Sequence, residues 1–372
     1  MHSKLCIIWW MLLLLVSCNR GKEPTSCPEN GDTIPMRYAR NLTMIERDGR
    51  VEVIIRNPWD TLQVLHRYEL LLSGERKLNQ NQIYVPVRRT AVFAGLHCAL
   101  LQELGCETAV CGVCEPGYIN LPFVHKALAD GRIKDLGNAM EPNVEGILDL
   151  QPEILMATPF ETSGGYGVLE RMGIPIVECA DYMENSPLGR AEWIRFYGRL
   201  FGQGERADSL FRAVEERYLA LRTMALGTTL RPRLLSEIPQ SGKWYVAGGQ
   251  STMGVLYADA GADYVFSDIQ RAGGFPVSME QALDRALTAD VWIVKHFGSI
   301  SRDEICQDVP ALNRITACLW VCDTSQNLFY EETAFHPERL LANIIDILLP
   351  ELGIKVEKSY FCPSPENALV RK

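Results

Sequence analysis

From Pro187 to Gly227 the chain runs without a strand signal, between two stretches in which short apolar strands alternate with helices. That feature restricts the fold more than any other. Alternation of buried strands with helices implies a parallel sheet covered on both faces. The chain therefore has to build two such sheets and join them through helix. Gly202 and Gly204 divide the joining segment. Beyond them Ala207, Leu210, Phe211, Val214, Tyr218 and Leu221 recur at helical spacing and form one apolar face. From Glu205 to Leu226 such a helix spans about 33 Å, the width of a small domain. The expected fold class is α/β: two Rossmann-like lobes with mainly parallel sheets, joined by one long connecting helix.

Each lobe contains the same helix–strand unit. In "NVEGILDLQPEIL" Asn143 caps a short helix, Pro152 stops it and a buried strand follows. In "SMEQALDRALTADVWIV" Ser278 is the cap, Gln281 completes a capping-box pattern, and a strand again follows. Glu145 and Glu280 occupy the first turn of the two helices. The helix dipole favours an anion there by up to about 1 kcal/mol, so either glutamate alone has a purely structural reading.

The N-terminus is a targeting segment. Lys4 precedes the apolar run "IIWWMLLLLV", too short to span a bilayer, and "LVSC" ending at Cys18 resembles a bacterial lipoprotein box. Cleavage before Cys18 leaves that cysteine as the lipidation site, on a polar tether rich in turn formers. The tether lacks an acidic run of the kind that sends some bacterial lipoproteins to the cell surface, so by that resemblance a periplasm-facing anchor is expected. The expected organisation is signal peptide 1–17, tether 18–35, N-terminal lobe 36–186, helical linker 187–227, C-terminal lobe 228–350 and a weakly patterned tail 351–372. Within the first lobe, "RVEVIIRNPW" and "QIYVPV" make a β-rich opening over 36–85, whose purpose the pattern does not reveal.

The 372 residues, 47% of them hydrophobic, suffice for two cores, and the formal charge of −9 argues against nucleic acid or an anionic membrane surface as partner. Membrane contact is expected through the lipid alone. Cys111 and Cys114 form a CxxC without a second pair, and packing is favoured over redox or metal chemistry. Cys318 and Cys322, four apart on a strand, lie roughly 13 Å from each other and cannot bond together.

Four stretches give the chain a resemblance to the helical-backbone class of periplasmic substrate-binding proteins, which serves ABC importers of iron chelates, haem and corrinoids and includes the vitamin B12 carrier. They are "PNVEGILDLQPEIL", "ADSLFRAVEERYLALR", "GGQSTMGVLYADAGADYVF" and "VSMEQAL". The likeness covers roughly residues 85–350. It implies a monomeric, lipid-anchored carrier without a cofactor of its own, which hands a metal chelate to a permease. It also implies that Glu145 and Glu280 dock onto arginines of that permease, one from each lobe.

In such two-lobe binders the ligand sits on loops at the strand ends. The loops here offer Tyr118, Phe160, Tyr166, Trp244, Tyr245, Phe275, Phe297, Phe329 and Tyr330, whose rings suit a broad, bulky ligand. Trp244, Tyr245 and Phe275 are expected foremost, with Glu161, Lys295, His296 and Glu331 as polar partners. His296 is a candidate axial donor to a chelated metal. The six histidines are scattered without HxH or HExxH, which gives bare-metal binding little support. Two other classes compete. One is a tetrapyrrole- or metal-handling enzyme of the chelatase or nitrogenase-like two-lobe type, although the sequence has no GxSxG, P-loop or GxGxxG opening a helix. The other is a redox module built on Cys111 and Cys114.

Overall fold

The computed structural model describes residues 32–60, 62–72, 79, 81–161 and 166–365. The signal segment, Cys18 and most of the tether lie outside the described residues. Four sheets form. The first is β1 (Asp32–Ile34), β2 (Leu42–Arg47), β3 (Arg50–Arg56), β4 (Val64–Leu72) and β5 (Gln82–Val85), in that order. It is antiparallel except for the β4–β5 pair. The second contains β6 (Thr90–Val92), β7 (Val110–Val113), β8 (Lys134–Asp135), β9 (Ile154–Ala157) and β10 (Ile176–Glu178), all parallel, in the order β10-β9-β6-β7-β8.

The third sheet contains β11 (Arg233–Ser236), β14 (Asp263–Tyr264), β16 (Val291–His296), β17 (Cys318–Asp323) and β18 (Cys362–Pro363), in the order β14-β11-β16-β17-β18. Only β18 is antiparallel. The fourth is a small antiparallel sheet of β12 (Pro239–Gln240), β13 (Lys243–Ala247) and β15 (Gly274–Val277). Two lobes with mainly parallel sheets, joined by a long helix, are thus the observed architecture. Strands β6, β7, β9 and β10 are buried along their whole length, as helices on both faces of a parallel sheet require.

The connecting helix is Gly204–Leu226, 23 residues, about 35 Å long. It buries Ala207, Phe211, Val214, Tyr218, Leu221 and Ala225, while Leu210 is half-buried at the edge of that face. The helix grips the C-terminal lobe through Asp259, which accepts from the Tyr218 hydroxyl and from Arg222, both at 2.7 Å. Both helix–strand units form. Asn143 accepts the Gly146 N–H at 2.9 Å and Ser278 accepts the Gln281 N–H at 3.2 Å. The complete capping box lies elsewhere, at Ser301 and Glu304, where each side chain bonds the other's backbone.

The structure gives the β-rich opening a purpose. Its sheet abuts the edge strand β10: the Tyr68 hydroxyl donates to the Ile176 carbonyl at 2.8 Å and accepts the Glu178 N–H at 2.9 Å. Two buried carboxylates secure the segment that follows β1. Glu192 accepts the N–H groups of Arg37, Tyr38 and Ala39, and Glu184 those of Arg40 and Asn41, all at 2.8–2.9 Å. The expected tail needs correction. Tyr360 and Phe361 are 1% exposed, Asn343 accepts both of their N–H groups, and β18 extends the third sheet. Two aromatic residues in a row give no helical or strand period, so the pattern did not disclose this packing.

His336 links the lobes through the helix Gly95–Glu103. Its Nε2 lies 2.6 Å from Glu103, on the helix Gly95–Glu103, and its Nδ1 lies 2.9 Å from Glu338. Burial opposes charge on the ring, but the two carboxylates outweigh it and raise the His336 pKa to about 9. A raised histidine stabilises the fold fully below its unfolded value, about 6.5, and ceases to do so as pH rises through about 9. Melting of the protein between pH 7 and 9.5 is expected to lose on the order of 2–3 kcal/mol from this group. His336→Gln should flatten that part of the pH profile. An unchanged slope in the variant would remove the assignment.

Candidate functional site

The order of each central sheet fixes where a ligand can sit. In an open parallel sheet the crevice lies beyond the carboxyl ends of the strands, where the strand order reverses. That point falls between β6 and β9 in the first lobe and between β11 and β16 in the second. In the first lobe, the segments after β6, β7, β8 and β9 surround a cavity of about 700 Å³. Its walls include Phe93, Met140, Phe160 and Tyr166, with Glu115 and Glu141 among them. That volume lies within the usual range for a small-molecule site, about 300–1,000 Å³.

The second lobe presents the segments after β11, β16 and β17 to the first. Glu237, directly after β11, pairs with Lys295 near the end of β16. Burial opposes the lysine's charge, but Glu237 outweighs it and raises the Lys295 pKa. The lobes touch at these loops. The Asn120 side chain donates to the carbonyls of Thr324 and Asn327, at 3.0 and 2.9 Å, and its backbone N–H donates to Glu331 at 2.8 Å. The Tyr118 and Phe297 rings meet edge to face at 5.4 Å. A second cavity of about 400 Å³ lies between Tyr182 and Arg190 on one side and Glu237, Gln240 and Tyr245 on the other. Arg190 is held by buried Asp181, at 3.1 Å, which also bonds His97 and Tyr197.

Six aromatic side chains are exposed among the described residues, and five of them are Tyr118, Phe160, Tyr245, Phe297 and Tyr330. These five lie on segments that follow β7, β9, β11, β16 and β17. Large exposed apolar groups concentrated on one face mark a binding surface. The structure places the other expected residues as follows. Tyr166 turns its hydroxyl to Glu178 at 2.6 Å and lines the first-lobe cavity with its ring. Glu161 is exposed beside Phe160. Glu331 is buried and serves the contact between the lobes.

His296 is half-buried, and its Nδ1 lies 3.0 Å from the Gly298 carbonyl. A carbonyl only accepts, so a neutral His296 carries its proton on Nδ1 and its lone pair on Nε2.

Trp244 and Phe275 do not line the cleft. Trp244 is 0% exposed, packs 6.2 Å from Trp292 and donates its indole N–H to the Ser236 carbonyl. Phe275 pairs with Val246 on the same buried face. The segment expected to be a loop is a hairpin, in which alternate residues face opposite ways. Tyr245 faces out because its neighbours Trp244 and Val246 face in. The turn, Ser241 and Gly242, has both φ angles positive, at 49° and 75°, the type I′ geometry that joins two strands. "SG" between two apolar runs was the available signal.

Cys111 and Cys114 are both buried, and burial pushes their thiols up, that of Cys114 to about 12. Such thiols are poor nucleophiles at neutral pH. Phe93, Met140 and Glu115 were missed. They come together only through the strand order, although Phe93 directly follows an apolar strand end in "TAVFAG".

Comparison with known proteins agrees with this architecture. An uncharacterised lipoprotein of Methanocaldococcus jannaschii is 24% identical over 308 residues, covering 74% of this chain and 73% of the relative. A periplasmic haem-binding protein from Pseudomonas aeruginosa has a similar fold, with a TM-score of 0.58 and 19% identity over 75% of this chain and 98% of its own. So does a protein of an ABC-type Fe3+-hydroxamate transport system from Saccharomonospora viridis, with a TM-score of 0.53 and 19% identity over 71% and 93%. Residues 99–318 match the family model for periplasmic binding proteins. With its two parallel-sheet lobes on a single long helix, the chain belongs to the periplasmic binding protein family.

Proposed function

We propose that the protein is a lipid-anchored, periplasm-facing carrier that captures a metal chelate between its lobes and delivers it to an ABC importer. The observation that carries this reading is that exposed aromatics stand on segments following the central strands of both lobes, with Phe160 lining the cavity of about 700 Å³ and Tyr245 the cavity of about 400 Å³. Tyr118, Phe160, Tyr245, Phe297 and Tyr330 supply flat apolar faces, and His296 supplies an imidazole nitrogen for a metal with an open position. Anchoring at Cys18 is supported by the lipoprotein box and by a relative described as a lipoprotein. Glu145 and Glu280 are the proposed contacts with the permease. The carrier acts as a monomer, as the resemblance to its class implies.

Titration by tryptophan fluorescence and absorbance, against cobalamin, haem and ferric siderophores, tests the reading. Saturable submicromolar binding of one of them is expected, and a flat response from folded protein would refute it. Tyr245→Ala should raise Kd about tenfold, since losing one ring contact costs about 1.4 kcal/mol. Trp244→Ala should instead lower stability by about 3–5 kcal/mol through the cavity it leaves. The reverse pattern would mean that Trp244, not Tyr245, meets the ligand.

A further inference from the structure

We infer that the cleft selects chelates with a neutral or positively charged outer face over chelates that carry carboxylates or ionised catechols. The inference rests on the chelate-binding reading above and narrows its ligand. Its ground is the charge of the first-lobe cavity. Glu115 and Glu141 are in its wall, and Glu161 is exposed beside Phe160. A further carboxylate, Glu178, sits behind the Tyr166 hydroxyl that it accepts. The described residues lining this cavity include no arginine, lysine or histidine.

Two cations where the lobes meet are already engaged. Lys295 is paired with Glu237, and Arg190 with buried Asp181. Arg271, itself exposed, lies over the Phe275 ring, 5.4 Å from its centroid. The backbone that carries two of the acidic groups is also in an uncommon conformation. Glu115 follows β7 with a φ of 51° and Glu237 follows β11 with a φ of 65°. Both are in the left-handed region that side chains with a Cβ rarely adopt. Non-glycine residues held there at two strand ends, on the faces that meet, are set by the surrounding structure.

An apolar cavity with carboxylates on its wall and no cation among its described lining residues is a poor place for an anion. A propionate or catecholate entering it would lose water and gain only like charge, which is how a site rejects a competitor. An ammonium, an amide N–H or a hydroxamate periphery would instead find acceptors at Glu115 and Glu141. The discrimination is therefore electrostatic, and salt should weaken it.

The test uses the full chain in detergent and four probes. These are a ferric trihydroxamate with one free ammonium, cyanocobalamin, haem, and a ferric tris-catecholate. The ammonium-bearing or the amide-rich neutral chelate is expected to bind at least about tenfold tighter than both anionic ones. Raising the salt should narrow the gap for the cationic probe. The double variant Glu115→Gln, Glu141→Gln should narrow it severalfold at an unchanged melting temperature. If the variant melts early, the wild-type ratios and their salt dependence decide alone. Tightest binding of an anionic probe, or ratios insensitive to salt, would overturn the inference while leaving the carrier reading intact. No saturable binding of any probe by folded protein would overturn the carrier reading, and this inference with it.

Discussion

Glu192→Ala is expected to remove about 3–5 kcal/mol of unfolding free energy, the usual cost of breaking a buried, hydrogen-bonded charge. Glu192 is 0% exposed, and its two oxygens accept the N–H groups of Arg37, Tyr38 and Ala39 while Arg195 lies 3.4 Å away. Alanine would leave three backbone donors without an acceptor, while Arg195 would keep its pair with Asp208 at 2.7 Å, and each lost acceptor is costly when water cannot replace it. Against a total stability of about 5–15 kcal/mol, that loss is large.

The effect should also be local at first. The segment 35–41 lies over the connecting helix, where the Tyr38 hydroxyl donates to Glu215 at 2.5 Å and Arg37 pairs with the same carboxylate at 2.6 Å. Once Glu192 is gone, trypsin should cut at Arg37 or Arg40 before the lobes unfold. Glu192→Gln keeps one acceptor oxygen but turns an NH2 group toward N–H donors, so it should fall between the two. A loss below about 1 kcal/mol by chemical denaturation, with no early cleavage, would show that the N-terminal sheet is held by its apolar contacts instead.

The parts of the fold that local chemistry dictates were legible. Asn143 and Ser278 announced two helices, and the apolar face from Ala207 to Leu221 announced the strut. What stayed hidden depended on pairing between distant segments. Nothing local says that Tyr68 reaches β10, or that Glu184 and Glu192 gather five successive N–H groups from the N-terminal segment. The site divided in the same way. Tyr118, Phe160, Phe297 and Tyr330 were read from their place after strands, and the structure keeps them exposed there. Trp244 failed because a hairpin was read as a loop, so that alternation was not applied to it. Glu115 and Glu141 failed because their shared cavity exists only once the strand order is known.

The double variant Glu145→Lys, Glu280→Lys is expected to bind its chelate with a Kd within about twofold of wild type and to lose uptake through the permease by about 100-fold or more. Both glutamates are exposed, and neither forms an ion pair with another described residue. Each is the second residue of its helix, directly behind a capping side chain that satisfies the next N–H. The two sites are thus equivalent in local structure while sitting on different lobes. If their only task were to face the helix dipole, each reversal would cost at most about 1 kcal/mol of stability and leave transport untouched. If they dock, the reversals place two like charges against permease arginines, and repulsion at two separated points prevents register as well as contact. Stability and uptake therefore separate the readings, because the dipole predicts a small shift in melting with normal uptake and docking predicts the same shift with uptake lost. Single reversals should each give an intermediate loss, since one remaining contact still orients the carrier. Uptake at the wild-type rate in the double variant would return both residues to a purely structural role.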